Sequence, residues 1–294
     1  MAANELDTLL LNPSTRRLAA MYLSSPHSAL LITGTAGSGK YTLAKTISAT
    51  LLQDSPKALE NKPNFLLIQV PDGHSEISID TIRTLRRRLA LKNASSGQPR
   101  LVLLENADKM SDEAQNALLK TLEEPPADTT FILTASTANS LLPTIVSRTW
   151  ALPVQPTDLK AASGYYRDFD VQEVEKAWSL SGGTPGLLNA LLHNEDSHPL
   201  REAVERAKQF ISSPTYQRII QADQEATSIA GFQLFLEALA KIMAALHRQT
   251  VTRGTVRKTD LLNNRKLILR LQHSLERRAN ARLLGLELAL SLKV

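Results

Sequence analysis

Nine residues constrain this chain more than any others: GTAGSGKYT, Gly34 to Thr42, placed directly after the short apolar run Ala29 to Thr33. The spacing from Gly34 to Gly39-Lys40 meets the phosphate-loop pattern G-x-x-x-x-G-K-[ST] in every position but the last. The context is also right, because a helical pattern runs on from about Lys40 to Gln53. In such a loop Gly34, Gly37 and Gly39 let the backbone curl, so that its N–H groups point inward at phosphate oxygens. The helix N-terminus adds positive potential, and Lys40 reaches the outer phosphates. The final position is wrong. Tyr41 stands where a Ser or Thr would ligate magnesium, and a phenol carries its oxygen further out on a rigid ring. Thr42 follows, but the next residue of a helix points about 100° away. The phosphate cradle is expected to persist and the metal ligand to be lost.

A second stretch, Leu101 to Pro126, reads LVLLENADKMSDEAQNALLKTLEEPP. Its first four residues are continuously apolar, which suits a strand buried on both faces. Glu105 and Asn106 fall where that strand leaves the sheet. P-loop nucleotidases carry an Asp for the magnesium shell and a Glu that activates water there. Asn106 is an amide and cannot take a proton from water at neutral pH, and Glu105 is one methylene longer than Asp. Ser111 is expected to cap a helix with Asp112 and Glu113 in its first turn. Ala114, Ala117, Leu118 and Leu122 recur at helical spacing, and Pro125-Pro126 stops the run.

Further strands are expected at Phe65 to Val70, at Thr130 to Ala135 and at Trp150 to Pro153. Ser136, at the end of the second of these, would sit near a γ-phosphate as a sensor. Helices are expected over Pro13 to Leu23 and after Ser78, where Ile79, Ile82, Leu85 and Leu89 form one stripe. Arg83, Arg86, Arg87 and Arg88 lie on or near its open side; an exposed helix face is the plainer reading, contact with a nucleic-acid backbone the other. Asn93 to Pro99 reads as a polar loop. Strand–helix units that begin with a phosphate loop predict an α/β P-loop domain with a parallel sheet and helices on both faces.

The length of 294 residues suggests two or three domains. Pro153 and Pro156 mark a boundary, so the P-loop domain is expected over residues 1–155. Residues 156–200 read as a small helical module around SGGTPGLLNALL, where Gly182-Gly183 breaks one helix and Pro185 opens the next. Residues 201–294 are all-helical in pattern, strongest over Phe232 to His247, Lys258 to Asn280 and Arg282 to Leu292. The net charge of +5 is unevenly spread: from Lys241 onward 12 Lys and Arg stand against three acidic residues. Such an end suits nucleic acid or an acidic protein partner, or solvated helix faces. The absence of cysteine excludes disulfides and thiolate metal sites. MAANELDTLL lacks a basic n-region and a long apolar core, so no secretory leader is expected. No apolar run is read as approaching the ~20 residues of a membrane span. A soluble, cytoplasmic chain is the expectation.

ALLKTLEEPP at Ala117 to Pro126, then FILTAS, then SRT at Ser147 to Thr149, resembles the AAA+ clamp-loader family. It is most similar to the delta-prime branch of the bacterial DNA polymerase III clamp loader. SGGTPGLLNAL resembles that family's lid domain, and LERRANARLLGLELAL its collar domain. The resemblance implies an AAA+ domain followed by a small helical lid and an all-α collar that holds the oligomer. It implies a hetero-pentamer with motor (gamma/tau) and delta subunits, which opens a sliding clamp and loads it on primed DNA. Arg148 would be the trans-acting arginine that completes a neighbour's ATP site. The departures imply a non-hydrolysing structural subunit: Tyr41, Glu105 and Asn106 each damage a part of hydrolysis, and the lid's second phosphate-sensing position falls near the apolar Leu188. The family's four-cysteine zinc module is absent or metal-free, so no zinc and no other metal is expected. ATP or ADP binding without hydrolysis stays open. Two alternatives remain: an active motor subunit with Thr42 and Glu105 as substitute ligands, and a DNA-binding module built on the basic C-terminal end.

Overall fold

The computed structural model describes residues 2–71, 73–90, 99–193, 198–253 and 258–293. The polar loop expected over 93–99 falls, up to residue 98, outside the described residues. The chain folds into two compact units, Met1–Thr157 and Asp158–Val294.

The first unit runs α1 (Ala2–Asp7), α2 (Pro13–Ser24), β1 (Ala29–Thr33), α3 (Lys40–Leu52), β2 (Phe65–Ile68), α4 (Ile79–Ala90), β3 (Arg100–Leu104), α5 (Asp112–Glu123), β4 (Thr129–Ala135), α6 (Pro143–Val146) and β5 (Trp150–Pro153). The five strands form one parallel sheet in the order β2-β3-β4-β1-β5. Successive side chains of a strand face opposite ways, and here both sides are covered. Leu31, Val102, Leu104, Phe131 and Leu133 pack with Ile82, Leu85, Ala114 and Leu118 of α4 and α5. Leu30, Ile32, Leu101, Leu103 and Ile132 pack on the other side with Tyr22, Leu43 and Ile47 of α2 and α3. Double coverage is why the strands read as unbroken apolar runs. Ser111 caps α5 as expected, its side chain accepting from the Ala114 N–H at 3.2 Å.

The second unit is helical: α7 (Leu159–Tyr165), α8 (Val171–Ser181), α9 (Pro185–His193), α10 (Pro199–Ser212), α11 (Thr215–Glu225), α12 (Ile229–Arg253), α13 (Lys258–Glu276) and α14 (Ala281–Ser291). Gly182 and Gly183 adopt φ of 66° and 76° and end α8. Phe210, Phe232 and Phe235 form the aromatic centre of the core, with Phe210 and Phe235 edge to face at 5.2 Å between centroids. The arginine Arg218 is buried beside them and donates to the carbonyls of Phe210, Ile211 and Leu292 at 3.1, 2.9 and 3.1 Å. Those carbonyls lie at the C-terminal ends of α10 and α14, where helical partners run out; that of Phe210 also accepts from the Ser213 N–H at 3.2 Å.

One sequence expectation needs correction. Among the described residues one helical stretch, Ile229–Arg248 of α12, is long and apolar enough to cross a membrane by length and composition. Its only acidic residue is Glu237, and its Phe232, Phe235, Leu236, Leu239 and Met243 are buried in the second unit's core. The apolarity is thus spent on helix packing.

Candidate functional site

The sheet order places the carboxyl ends of β3, β4 and β1 side by side, where open α/β sheets bind ligands. The Gly34 N–H donates to the Ala135 carbonyl at 3.1 Å, so the loop after β1 leaves level with the end of β4. Gly37 and Gly39 take φ of 73° and 81°, a region that favours glycine. Gly39 is the N-cap of α3, and no side chain caps that helix. Gly34 is needed for a different reason. A Cβ there would lie 2.6 Å from Ser38 Oγ and 3.3 Å from Val154 Cβ. Ser38 Oγ is itself buried without a hydrogen-bond partner. A helix start without a side-chain cap, below a glycine loop with a spare hydroxyl, fits phosphate oxygens.

The metal side of the loop does not fit magnesium. Tyr41 is half-buried and its ring packs against the apolar face that holds Leu30, Ile32 and Leu43. Lys45, one turn on, lies over that ring at 5.6 Å from the centroid and pairs with Glu60 at 2.7 Å. Burial pushes the Tyr41 phenol up, against the pull of Lys45, and Glu105 and Glu60 push it the same way. Thr42 is exposed. Among the described residues no group of three or more His, Asp or Glu is arranged to hold a metal ion.

Glu105 emerges from β3 half-buried, its N–H donating to the Ile68 carbonyl at 2.8 Å. Burial pushes its carboxyl up, while Lys40 and Lys45 pull it back. Asn106 sits at φ 51°, ψ 56°, left-handed backbone that Asn tolerates better than most residues. Its N–H donates to Thr134 Oγ1 at 2.9 Å, which ties the end of β3 to β4. Ser136 is not a free hydroxyl facing the loop. Its N–H and its Oγ–H both meet Asp108 Oδ2, at 3.1 and 2.5 Å. Sequence reading passed over Asp108, because the short 3-10 turn Ala107–Lys109 that brings it back across the strand ends has no sequence signature.

Arg148 lies just beyond α6, 35% exposed. It donates to the Thr144 carbonyl at 2.9 Å and to Ser147 Oγ at 3.3 Å, and it forms an ion pair with Glu123 at 2.7 Å. Arg83, Arg86, Arg87 and Arg88 are all exposed on α4; Arg83 pairs with Asp80 at 3.2 Å, and Arg87 donates to Thr84 Oγ1 at 3.0 Å. Leu188 is fully buried in α9.

A glycine-rich phosphate loop on a five-stranded parallel sheet, followed in sequence by a helical unit, defines a protein of the α/β P-loop fold class. The same fold occurs in a DNA polymerase III, gamma subunit-related protein of Thermotoga maritima, with a TM-score of 0.54 at 19% identity, covering 94% of this chain and 97% of that one. Residues 18–158 match the family described as DNA polymerase III, delta subunit. The chain is 32% identical over 202 residues to the DNA polymerase III subunit delta' of Pseudomonas aeruginosa, covering 62% of this chain and 61% of the relative. It is 29% identical to the same subunit of Escherichia coli, covering 63% and 61%, and 38% identical to that of Bacillus subtilis, covering 38% and 33%. The chain therefore spans about three fifths of the length of the first two relatives.

Proposed function

We propose that this protein is a non-hydrolysing, delta-prime-like subunit of a DNA polymerase III clamp loader. In this reading it works in the cytoplasm beside motor (gamma/tau) and delta subunits of a hetero-pentamer, which loads a sliding clamp onto primed DNA. Its 201–294 helices serve as the collar and 156–200 as the lid. Its own P-loop keeps a phosphate cradle and holds ATP or ADP, if either, without splitting it. Arg148 is its contribution to chemistry: a guanidinium placed against the phosphoryl group held by the next subunit stabilises charge that develops there.

The observation that carries this reading is Tyr41. Its ring is folded onto the sheet under Lys45 at the helix position where hydrolysis needs a short hydroxyl on a metal ion. Asn106 adds to it, since an amide cannot accept water's proton. The test is reconstitution with motor and delta subunits. The isolated chain should show no turnover, and Arg148→Ala should lower the ATPase of the assembled complex at least about tenfold, modest beside the 10³–10⁵ seen for such arginines. Turnover by the isolated chain that Lys40→Ala abolishes would instead support a motor subunit.

A further inference from the structure

We infer that Glu123 parks Arg148, so that the arginine reaches a neighbour's phosphates only after it leaves this carboxylate. The inference rests on the trans role proposed for Arg148 and concerns how that role is controlled. Arg148 has five N–H donors in a planar fork, and bidentate phosphate recognition uses two of them side by side. Both terminal nitrogens of the fork are engaged within the chain. Nη1 serves the Thr144 carbonyl and Ser147 Oγ, and Nη2 serves Glu123 Oε1. Two different elements set this geometry. Glu123 is the last residue of α5, and Thr144 and Ser147 belong to α6 and its C-cap. The carboxylate also stands beside the guanidinium that a phosphoryl group would have to approach, and two anions there repel.

The pair is suited to release. Arg148 and Glu123 keep 35% and 47% of their side-chain surface in solvent, so the contact is screened and weak rather than locked. A polyphosphate carries more charge than one carboxylate, and bidentate contacts to it are the stronger ones. Docking of a loaded neighbour would therefore exchange Glu123 for phosphate. An empty neighbour would leave the arginine parked. Glu123 is on this account a positioning residue that makes the response to a neighbour's nucleotide more selective.

The test is a double-mutant cycle in the reconstituted complex, with ATPase rate and KM for ATP read separately. Glu123→Gln keeps the shape of the side chain and removes its charge. It should raise kcat/KM roughly two- to fivefold, the range an exposed ion pair can hold back. The gain should shrink at high salt and vanish in the Arg148→Ala background. Glu123→Asp, which keeps the charge, should behave like the native chain. No gain or a loss in Glu123→Gln, with Arg148→Ala still damaging, would overturn the parking and leave the trans role standing. A gain that persists in the Arg148→Ala background would also overturn it. Failure to assemble, or an Arg148→Ala complex of full activity, would overturn the trans role and this inference with it.

Discussion

Ser136 gives both of its donors, N–H and O–H, to one oxygen of Asp108, at 3.1 and 2.5 Å. The position that ends β4 is thereby held by its own chain. Asp108→Ala would leave both donors of Ser136 without that partner and cut the tie between β4 and the turn after β3. Hydrogen bonds to a charged acceptor are worth about 1.5–3 kcal/mol each when intact, so a loss of about 1–3 kcal/mol is expected at this half-exposed site. Urea unfolding should show a lower midpoint at unchanged m-value. Ser136→Ala should cost less, because the N–H bond survives.

Gly34 and Ser38 make a second coupled pair. A Cβ at Gly34 would meet Ser38 Oγ at 2.6 Å and Ser38 Cβ at 3.1 Å. Gly34→Ala should therefore destabilise by about 1–3 kcal/mol, as overpacking does. Ser38→Ala removes a buried hydroxyl that has no partner, so it should be close to neutral. The double variant should regain part of the loss, a coupling that thermal unfolding of the four proteins measures.

Glu105 predicts a pH dependence. Its carboxyl is pushed above the ordinary value of 4.5 by burial, with Lys40 and Lys45 opposing but not outweighing it. The folded protein then holds this proton to a higher pH than the unfolded chain does. Stability is lost as pH rises from about 4.5 through the folded value. Glu105→Gln lacks that loss. Its Tm should exceed the native one at about pH 7, and the two should converge at about pH 4.

Arg218 predicts the behaviour of the second unit. It is 8% exposed and its three hydrogen bonds all go to carbonyls at helix ends. Arg218→Met fills similar space but takes these donors away, leaving the Phe210 carbonyl only its Ser213 N–H, at an expected cost of about 2–4 kcal/mol. Gly285→Ala is the companion test, because a Cβ there would lie 3.1 Å from the Ala222 carbonyl oxygen. It should push α14 off α11 and destabilise by about 1–3 kcal/mol.

Nucleotide binding should not need magnesium. With Tyr41 packed into the sheet, chelating divalent ions should change the affinity for a fluorescent ADP or ATP by less than about twofold. Lys40→Ala should weaken it by about tenfold, or 1.4 kcal/mol. A tightening of tenfold or more on adding magnesium would mean that another group, such as Glu105, has taken over the metal.

The sheet was legible in the sequence because both of its faces are covered. Continuous apolar runs as short as Ala29 to Thr33 and Leu101 to Leu104 suit buried strands better than amphipathic helices. The glycine spacing located the loop, and Ser111 marked the start of α5 by its capping chemistry. What stayed hidden depends on contacts between distant residues. Asp108 is brought to Ser136 by a left-handed Asn106 and a 3-10 turn, neither of which has a periodic pattern. Glu123 is 25 residues from Arg148, and nothing in either segment announces their meeting. Arg218 carries no sequence signal of its own, because its partners are backbone carbonyls, which no side-chain pattern encodes. The α12 stretch was under-read, since its length and apolarity suffice to span a membrane and only its packing shows that protein covers much of it.

The last turn of α8 is held from α12: Lys241 Nζ donates to the Ser181 carbonyl at 3.3 Å and the Arg248 guanidinium to the Ser179 carbonyl at 2.5 Å. Two rivets about two helical turns apart on α12 resist twisting in a way that one could not. A pull on α7 to α9 would therefore be passed to α12 as torque at these two points.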